Sequence, residues 1–310
     1  MDSANKQSAV IAEVTMGTTP ATPAFKVLRD IRVSGAPDRP AQRSPERSAN
    51  RQAANMVSGL ATFPKQIELP FVRDAAIDIL LTSVMGADWS TNVLKVGSTK
   101  MPFTLEERYE GGATDPYRRL AGCLCNSLAI NFPMAGAGVP GTMSFGIMAM
   151  AETAATSAIA SSTYSTPTPY YDPVSLIDVT FTDLFSISSP KVVGFQMAFN
   201  NNLRNKHAHG SASPFDLGFG QFDVTGQVQL YFGQSSDYST FMTRQTGLTL
   251  DLTIGSVTNY KDKIQLGTVD VWNPNVDDPG SSGEHVVTLN FMGRYDTSDA
   301  SAVVWTRNVA

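Results

Sequence analysis

The chain has 310 residues, a formal net charge of −5 and only 16% charged residues. This length allows one large domain or two smaller ones. The low charge and abundant Gly, Pro, Ser and Thr argue against a helical bundle. Residues 1–119 carry 15 Lys and Arg against 13 Asp and Glu, and residues 120–310 carry 8 against 15. Because the cations are not clustered and the later part is acidic, we do not expect tight binding to DNA.

The N-terminal 57 residues differ from the remainder. They contain one plausible strand, at 25–33, and a stretch in which Pro37, Pro40 and Pro45 alternate with arginines. So polar a segment cannot bury much apolar surface by itself. Residues 1–57 are therefore predicted to be either a mobile tail and loop or an arm and long loop that lie against something else, such as a neighbouring subunit, and residues 58–310 are predicted to form the folded domain.

A strand and then the clearest helix follow. Residues 61–71 alternate between apolar and polar side chains, as in a strand with one buried face. Asp74 is a suitable N-cap and Gly86 a suitable terminator for a helix of about three turns between them. The apolar residues of this segment recur at i, i+3, i+4 and i+7, at Ile77, Leu80, Leu81 and Val84. This spacing predicts an amphipathic helix packed on a sheet.

Two alternating runs, 124–132 and 142–150, predict an antiparallel hairpin. In the first run, one predicted face holds Leu124, Asn126, Leu128, Ile130 and Phe132, and the other holds Cys125, Ser127, Ala129 and Asn131. The intervening loop contains a literal GxGxxG, at Gly136, Gly138 and Gly141. A dinucleotide site needs a helix to begin at the last glycine, whereas here a strand is predicted, so no cofactor is expected. Cys123 and Cys125 are predicted to be reduced thiols.

Residues 151–175, rich in Ser, Thr and Pro, predict a loop between two groups of strands. The second group repeats the hairpin pattern at 193–199 and 224–232, either as a duplication or because two hairpins of one sandwich meet the same requirement. Asn273, Pro274 and Asn275 predict a turn. Further strands are expected at 248–254, 260–266, 285–295 and 303–306. The fold class is therefore mainly β, an antiparallel β-sandwich with one flanking helix.

Catalytic and metal-binding patterns are weak. His207, His209 and Asp216 could meet at a metal, but a polar hairpin tip explains them better. Glu106 and Glu107 are neighbours on a predicted strand and face opposite sides, so they cannot share a substrate. We predict no catalytic residue and no metal site, and neither a signal peptide nor a membrane anchor is indicated.

The order of several segments carries a family resemblance. "AEVTMGTTPATPAFKVLRD", "LKVGSTKMPFTLEERYEG", "YRRLAGCLCNSLAINFP" and "GTMSFGIMAM" follow one another, and "FNNNL", "VTGQVQLYF" and "VTLNFMGRYD" come later. In this order the chain resembles the major tail tube proteins of long-tailed bacteriophages.

The resemblance implies a structural virion protein without an active site. Its subunits would form rings, commonly hexamers, that stack into the tail tube. Inner strands would join into an inter-subunit β-barrel, and extended arms and loops would bridge rings. The protein would assemble in the host cytoplasm with tape-measure, tail terminator and distal tail proteins, and double-stranded DNA would pass through the lumen during ejection without tight binding.

Residue candidates follow from this implied architecture. Small polar side chains on the alternating strands would line the lumen: Ser127, Ala129, Asn131, Thr142, Ser144, Gln196, Asn200, Gln227 and Gln229. None is Lys or Arg, which suits a conduit through which DNA must slide. Candidates for the inter-ring arm are Glu13, Thr15, Thr18, Thr19 and Pro20. Removal of residues 10–24 is expected to leave a folded monomer and to abolish tube growth. The alternatives are a ring of three duplicated subunits, a capsid decoration protein and, more remotely, a β-sandwich glycoside hydrolase.

Overall fold

The computed structural model describes residues 6–46, 52, 55–110, 114, 116–133, 140–165, 178–233, 235–258, 260–277 and 283–309. Strands make up 56% of the structure and helices 6%, which confirms the mainly-β class. The first twelve strands are β1 (Lys6–Ala12), β2 (Ala24–Val27), β3 (Arg32–Ser34), β4 (Ala41–Arg43), β5 (Met56–Ser58), β6 (Phe63–Pro70), β7 (Val93–Lys95), β8 (Phe103–Tyr109), β9 (Tyr117–Phe132), β10 (Thr142–Ala149), β11 (Ala151–Ala155) and β12 (Thr163–Ser165). The later strands are β13 (Val179–Leu184), β14 (Val192–Asn200), β15 (Arg204–Lys206), β16 (Asp216–Gly218), β17 (Asp223–Tyr231), β18 (Gln245–Ile254), β19 (Lys261–Asp277), β20 (Val286–Gly293) and β21 (Val304–Val309); the helices are α1 (Ala75–Met85) and α2 (Ser235–Phe241).

The largest layer, which we call the front sheet, has the strand order β3-β6-β10-β9-β14-β17-β20-β19, and its pairings are antiparallel throughout. Buried and more exposed residues alternate strictly in β10 and β20, and over parts of β6, β9, β14 and β17. Because strand side chains alternate between faces, one face of this sheet contacts the core and the other does not.

Two further layers complete the fold. The back sheet has the order β13-β18-β19-β21-β7. It packs on the core face of the front sheet, where the rings of Phe181 and Phe195 lie 5.4 Å apart. An N-terminal sheet has the order β12-β2-β1-β8-β9-β11. The long strands β9 and β19 each take part in two of these layers, so the sandwich is a single hydrogen-bonded network of 17 strands.

Helix α1 flanks the sandwich as predicted. The Asp74 carboxylate accepts a hydrogen bond from the Ala76 amide, 3.0 Å away, and Gly86 closes the helix in the left-handed conformation at φ 61°. The stripe of Ile77, Leu80 and Val84 lies in the main core. None of the described helices is both long and apolar enough to cross a membrane.

A β-bulge changes the predicted faces of β9. Its pairing with β10 slips between Gly146, opposite Ser127, and Ile147, opposite Cys125. Asn126 is the extra residue, so alternation reverses before it. Cys125 therefore faces the main core, whereas Leu124 lies on the opposite side with Leu203 and Leu217. The predicted faces are wrong for Leu124 and Cys125 for this reason, and correct from Ser127 onward.

The N-terminal region is more integrated than the sequence predicts. β1 pairs with β8 along its whole length, from Lys6 opposite Tyr109 to Ala12 opposite Phe103. Removal of residues 10–24 would cut this strand, so it would not leave the monomer intact, contrary to expectation. The strand predicted at 25–33 is interrupted, because β2 ends at Val27 and β3 begins at Arg32.

The loop predicted at 151–175 also needs correction. Residues 151–155 form β11 and residues 163–165 form β12, while 166–175 lie outside the described residues. Small Ala and Thr side chains form strands here because β9 and β2 supply backbone partners. The turn predicted at 273–275 is instead a bulge within β19, between Trp272 and Asn275, where an edge strand tolerates Pro274.

Buried ion pairs join the layers. The Glu107 carboxylate in β8 contacts Lys6 of β1 at 2.6 Å and Lys65 of β6 at 2.8 Å. Burial opposes ionisation of Glu107, but the hydrogen bonds and charges of the two lysines outweigh it and lower its pKa. Its neighbour Glu106 contacts Arg119 at 2.6 Å. The two carboxylates thus have separate partners, as their alternation predicts.

Candidate functional site: the polar face of the front sheet

The exposed side of the front sheet brings all nine predicted lumen residues onto one face. Backbone pairing aligns them in rows that cross β10, β9, β14 and β17. The rows are Thr142–Asn131–Gln196–Gln227, Ser144–Ala129–Ala198–Thr225 and Gly146–Ser127–Asn200–Asp223, with Gln229 opposite Gly194. We call this surface the polar face.

The polar face extends beyond the predicted residues on both sides. β6 contributes Gln66 and Glu68 opposite Gly146 and Ser144. β20 contributes Thr288 and Asn290 opposite Gln229 and Gln227. These residues are not among the predicted lumen residues, although the same alternation is visible in "QIELPF" and "VTLNF".

Charge on the polar face lies toward its margins. Along one row, Arg32 of β3 is opposite Glu68, and Asp270 of β19 ends the other side of the same row, opposite Met292. Between these residues the row is Ser144, Ala129, Ala198 and Thr225, all uncharged. The centre of the face therefore offers a phosphate backbone no cation.

Neutral hydrogen bonds link neighbouring strands across this face. The Gln227 amide donates to the Gln196 side-chain oxygen at 2.8 Å, and the Gln66 amide donates to the Ser144 hydroxyl at 2.9 Å. Two depressions of about 660 and 600 Å³ lie on the face, and both reach Ala129. The small Ala129 side chain thus lies where the two depressions meet.

The predicted arm residues occupy a tight turn beside the N-terminal sheet. Glu13 is 7% exposed. Its carboxylate accepts hydrogen bonds from the Thr104 hydroxyl (2.6 Å), the Gly122 amide (3.0 Å) and the Gly17 amide (2.7 Å). Gly122 has φ +64°, a conformation that favours glycine. Glu13 therefore anchors the turn and does not project from it.

Only part of the turn is exposed. Thr15 and Thr18 form an isolated bridge and are exposed, whereas Thr19 shares a hydrogen bond with Thr104 at 2.8 Å and Pro20 is half-buried. Between Glu13 and Thr15, Val14 is 99% exposed. The Val14 side chain therefore contributes no packing within the subunit.

A second projection is the β4–β5 ribbon. Its pairing runs from the Asp38–Thr62 bridge to the hydrogen bond of the Ser44 amide with the Asn55 carbonyl. Every residue of β4 and β5 is exposed. At about 3.3 Å per residue the described ribbon reaches about 20 Å from its base.

The alternative metal site at His207, His209 and Asp216 is not supported. The Asp216 carboxylate lies between Lys100 at 2.6 Å and Lys206 at 2.8 Å. Partial burial opposes ionisation, but the two lysine hydrogen bonds outweigh it and lower the pKa of Asp216. Among the described residues, no three His, Cys, Asp or Glu side chains meet in an arrangement that could hold a metal ion.

Comparison with known proteins agrees with the resemblance seen in the sequence. The family model described as "Phage tail tube protein" matches residues 3–298. No curated protein matches the chain. Tail tube proteins are structural components of the phage virion, so the match favours this interpretation over a decoration protein or a hydrolase. Because the match covers nearly the whole chain, the protein belongs to the phage tail tube protein family.

Proposed function

We propose that the protein polymerises as stacked rings into a phage tail tube, with the polar face of each subunit turned to the lumen through which double-stranded DNA is ejected. The observation that carries the proposal is the uncharged centre of this face. DNA is held by cations at its phosphates, so a wall of hydroxyls, amides and alanines lets it slide. The lumen would first contain the tape-measure protein, and terminator and distal tail proteins would close the two ends.

The front sheet also offers edges for ring closure. β3 is one outer strand, and residues 272–277 of β19 have no partner on their outer side among the described residues. Joining the edges of successive subunits would continue the sheet around the ring and remove exposed strand edges, which otherwise pair uncontrollably. Six subunits is the ring size that the resemblance implies. Three is the alternative.

Contacts between rings would come from residues 1–57. In the described part of this region, the anchored turn with exposed Val14 and the β4–β5 ribbon both present exposed residues. We propose assembly in the host cytoplasm without a membrane anchor and without any catalytic step.

Negative-stain electron microscopy of the concentrated protein tests the assembly. Annular particles or tubes with a stain-filled channel are expected, and rotational averages would distinguish six subunits from three. Particles without a channel, formed in the presence of the tape-measure and initiator proteins, would contradict the proposal.

Cysteine labelling tests which face lines the lumen. In a Thr225→Cys variant, a small maleimide should react in monomer and tube alike, whereas a bulky polymer-linked maleimide should react only with the monomer. Thr180→Cys on the exposed side of β13 is the control and should react with both reagents in both states. Cys123 and Cys125 are buried, and burial raises the pKa of their thiols, so neither should react with maleimide. If the bulky reagent labelled Thr225→Cys as fully in tubes as in the monomer, the polar face would lie outside the tube.

A further inference from the structure

The edge strand β11 has an open side. It continues from β10 after Met150 and pairs with β9, Ala151 opposite Ala121 through Ala155 opposite Tyr117. β6 covers the other side of β10, but that pairing ends at Phe63 opposite Ala149. Within the described part of the chain, no strand pairs with the outer side of β11. The backbone groups of an open edge readily accept an added strand.

Glu152 of β11 adds a second, independent feature. Its side chain is only 8% exposed, and Oε1 lies 3.5 Å from the Arg118 guanidinium. Oε2 is buried and has no hydrogen-bond partner. A buried carboxylate oxygen without a donor is costly, and a cation from outside the chain would relieve that cost.

The β4–β5 ribbon has the complementary properties. Both of its strands are exposed, with Met56 at 68% and Val57 at 60%, and a lone two-stranded ribbon is marginally stable in water. It carries exposed Arg39 and Arg43. In the same chain neither arginine bonds Glu152 Oε2.

We propose that the β4–β5 ribbon of one copy docks along the open edge of β11 in a second copy, where it extends the N-terminal sheet and brings Arg43 to Glu152 Oε2. This inference rests on the proposed function, since it names the contact by which one subunit reaches another. Each ribbon strand has three residues and is short enough to pair within the five residues of β11. The ribbon's reach of about 20 Å suits a bridge between neighbours.

Charge exchange tests the pairing. Arg43→Glu and Glu152→Gln should each raise the concentration needed for tube growth by roughly tenfold or more, because each leaves a buried charge or donor unpaired. Arg204→Glu, at an exposed arginine of β15, is the matched control and should assemble like the wild type. The double variant Arg43→Glu with Glu152→Lys should recover growth. So should a mixture of Arg43→Glu chains with Glu152→Lys chains, because each then supplies the other's partner.

Cross-linking gives a readout that does not depend on growth. Tubes of a Val57→Cys and Ala154→Cys double variant should give dimers and higher ladders with a short bismaleimide, and each single variant should not. Wild-type growth of Arg43→Glu together with the absence of cross-links would overturn the inference while leaving the tube function standing. Failure of the wild-type chain to form tubes with its partner proteins would instead overturn the proposed function, and the inference with it.

Discussion

Glu13 shows how a single buried carboxylate positions a projecting turn. Three donors, from Thr104, Gly122 and Gly17, converge on it. Glu13→Ala would leave the Gly122 amide unpaired in the interior and the Thr104 hydroxyl with Thr19 as its remaining partner. We expect a loss of about 2–4 kcal/mol in the free energy of unfolding, measured by urea denaturation.

Thr15→Ala is the control for Glu13→Ala, because Thr15 is exposed in the same turn. It should change stability by less than about 0.5 kcal/mol. Equal effects of the two substitutions would show that the turn is not anchored through Glu13.

Asp262 in β19 should make stability depend on pH. Burial raises its pKa to about 6, against the opposing attraction of Arg307 and Arg73. The folded chain therefore holds this proton more tightly than the unfolded chain, whose Asp titrates near 4. The contribution is fully present below pH 4 and is lost as pH rises through 6, a change on the order of 3 kcal/mol.

Asp262→Asn isolates this contribution. Relative to the variant, the wild type should lose stability between pH 4 and pH 6 in thermal or urea unfolding. Asp296→Asn is a control whose stability should change with pH in the opposite direction. Hydrogen bonds, chiefly from Thr268, lower the pKa of Asp296, so the stability that Asp296 contributes is lost as pH falls. Parallel pH profiles for wild type and Asp262→Asn would refute the assignment.

At the scale of elements, the bulge in β9 depends on groups from outside the strand. The Asn201 side-chain amide donates to the carbonyls of Val84 at 2.8 Å and Cys125 at 2.9 Å. The Ser83 hydroxyl of α1 accepts from the Cys125 amide at 3.0 Å. The helix end and the loop after β14 together satisfy the backbone that the bulge releases.

Asn201→Ala should therefore cost about 2–3 kcal/mol of stability, since two buried carbonyls lose their donor. Asn200→Ala is the natural control, because the neighbouring asparagine is exposed on the polar face and should cost less than about 1 kcal/mol. A cost for Asn201→Ala no larger than that of its neighbour would show that the bulge is stable without this residue.

For the whole molecule, the proposed lumen predicts an effect of charge on DNA passage. Ala129 lies in the centre of the polar face, so Ala129→Lys would bring one cation per subunit into the channel. Tubes should still form, but genome release from phage carrying the variant should slow by roughly tenfold, with the defect reduced at high salt.

Thr180→Lys adds the same charge to the exposed side of the back sheet and should leave release unchanged. Wild-type release kinetics from Ala129→Lys tubes would show that the polar face does not contact the passing DNA.

Much of the fold could be predicted because short stretches of sequence specify the helix and many of the strands. The spacing of apolar residues and the caps at Asp74 and Gly86 specify α1 without reference to distant residues. Alternation in β9 from Ser127 onward and in β10, β14 and β17 assigned each candidate residue to a face, and pairing then placed all nine on the same one. The periodicity of apolar residues and the helix caps each depend on residues close together in the chain, so both can be identified from the sequence alone.

Other features depended on tertiary structure. One inserted residue, Asn126, reverses the faces of Leu124 and Cys125, and no local pattern marks it. Lys6, Lys65 and Glu107 meet across two layers, and no local pattern in β1, β6 or β8 marks these charges as buried. The sequence by itself determined α1, the main alternating strands of the front sheet and most of their apolar faces. The tertiary structure decided which strands are neighbours, which charges are buried and which edge stays open, because these follow from the register of residues far apart in the chain.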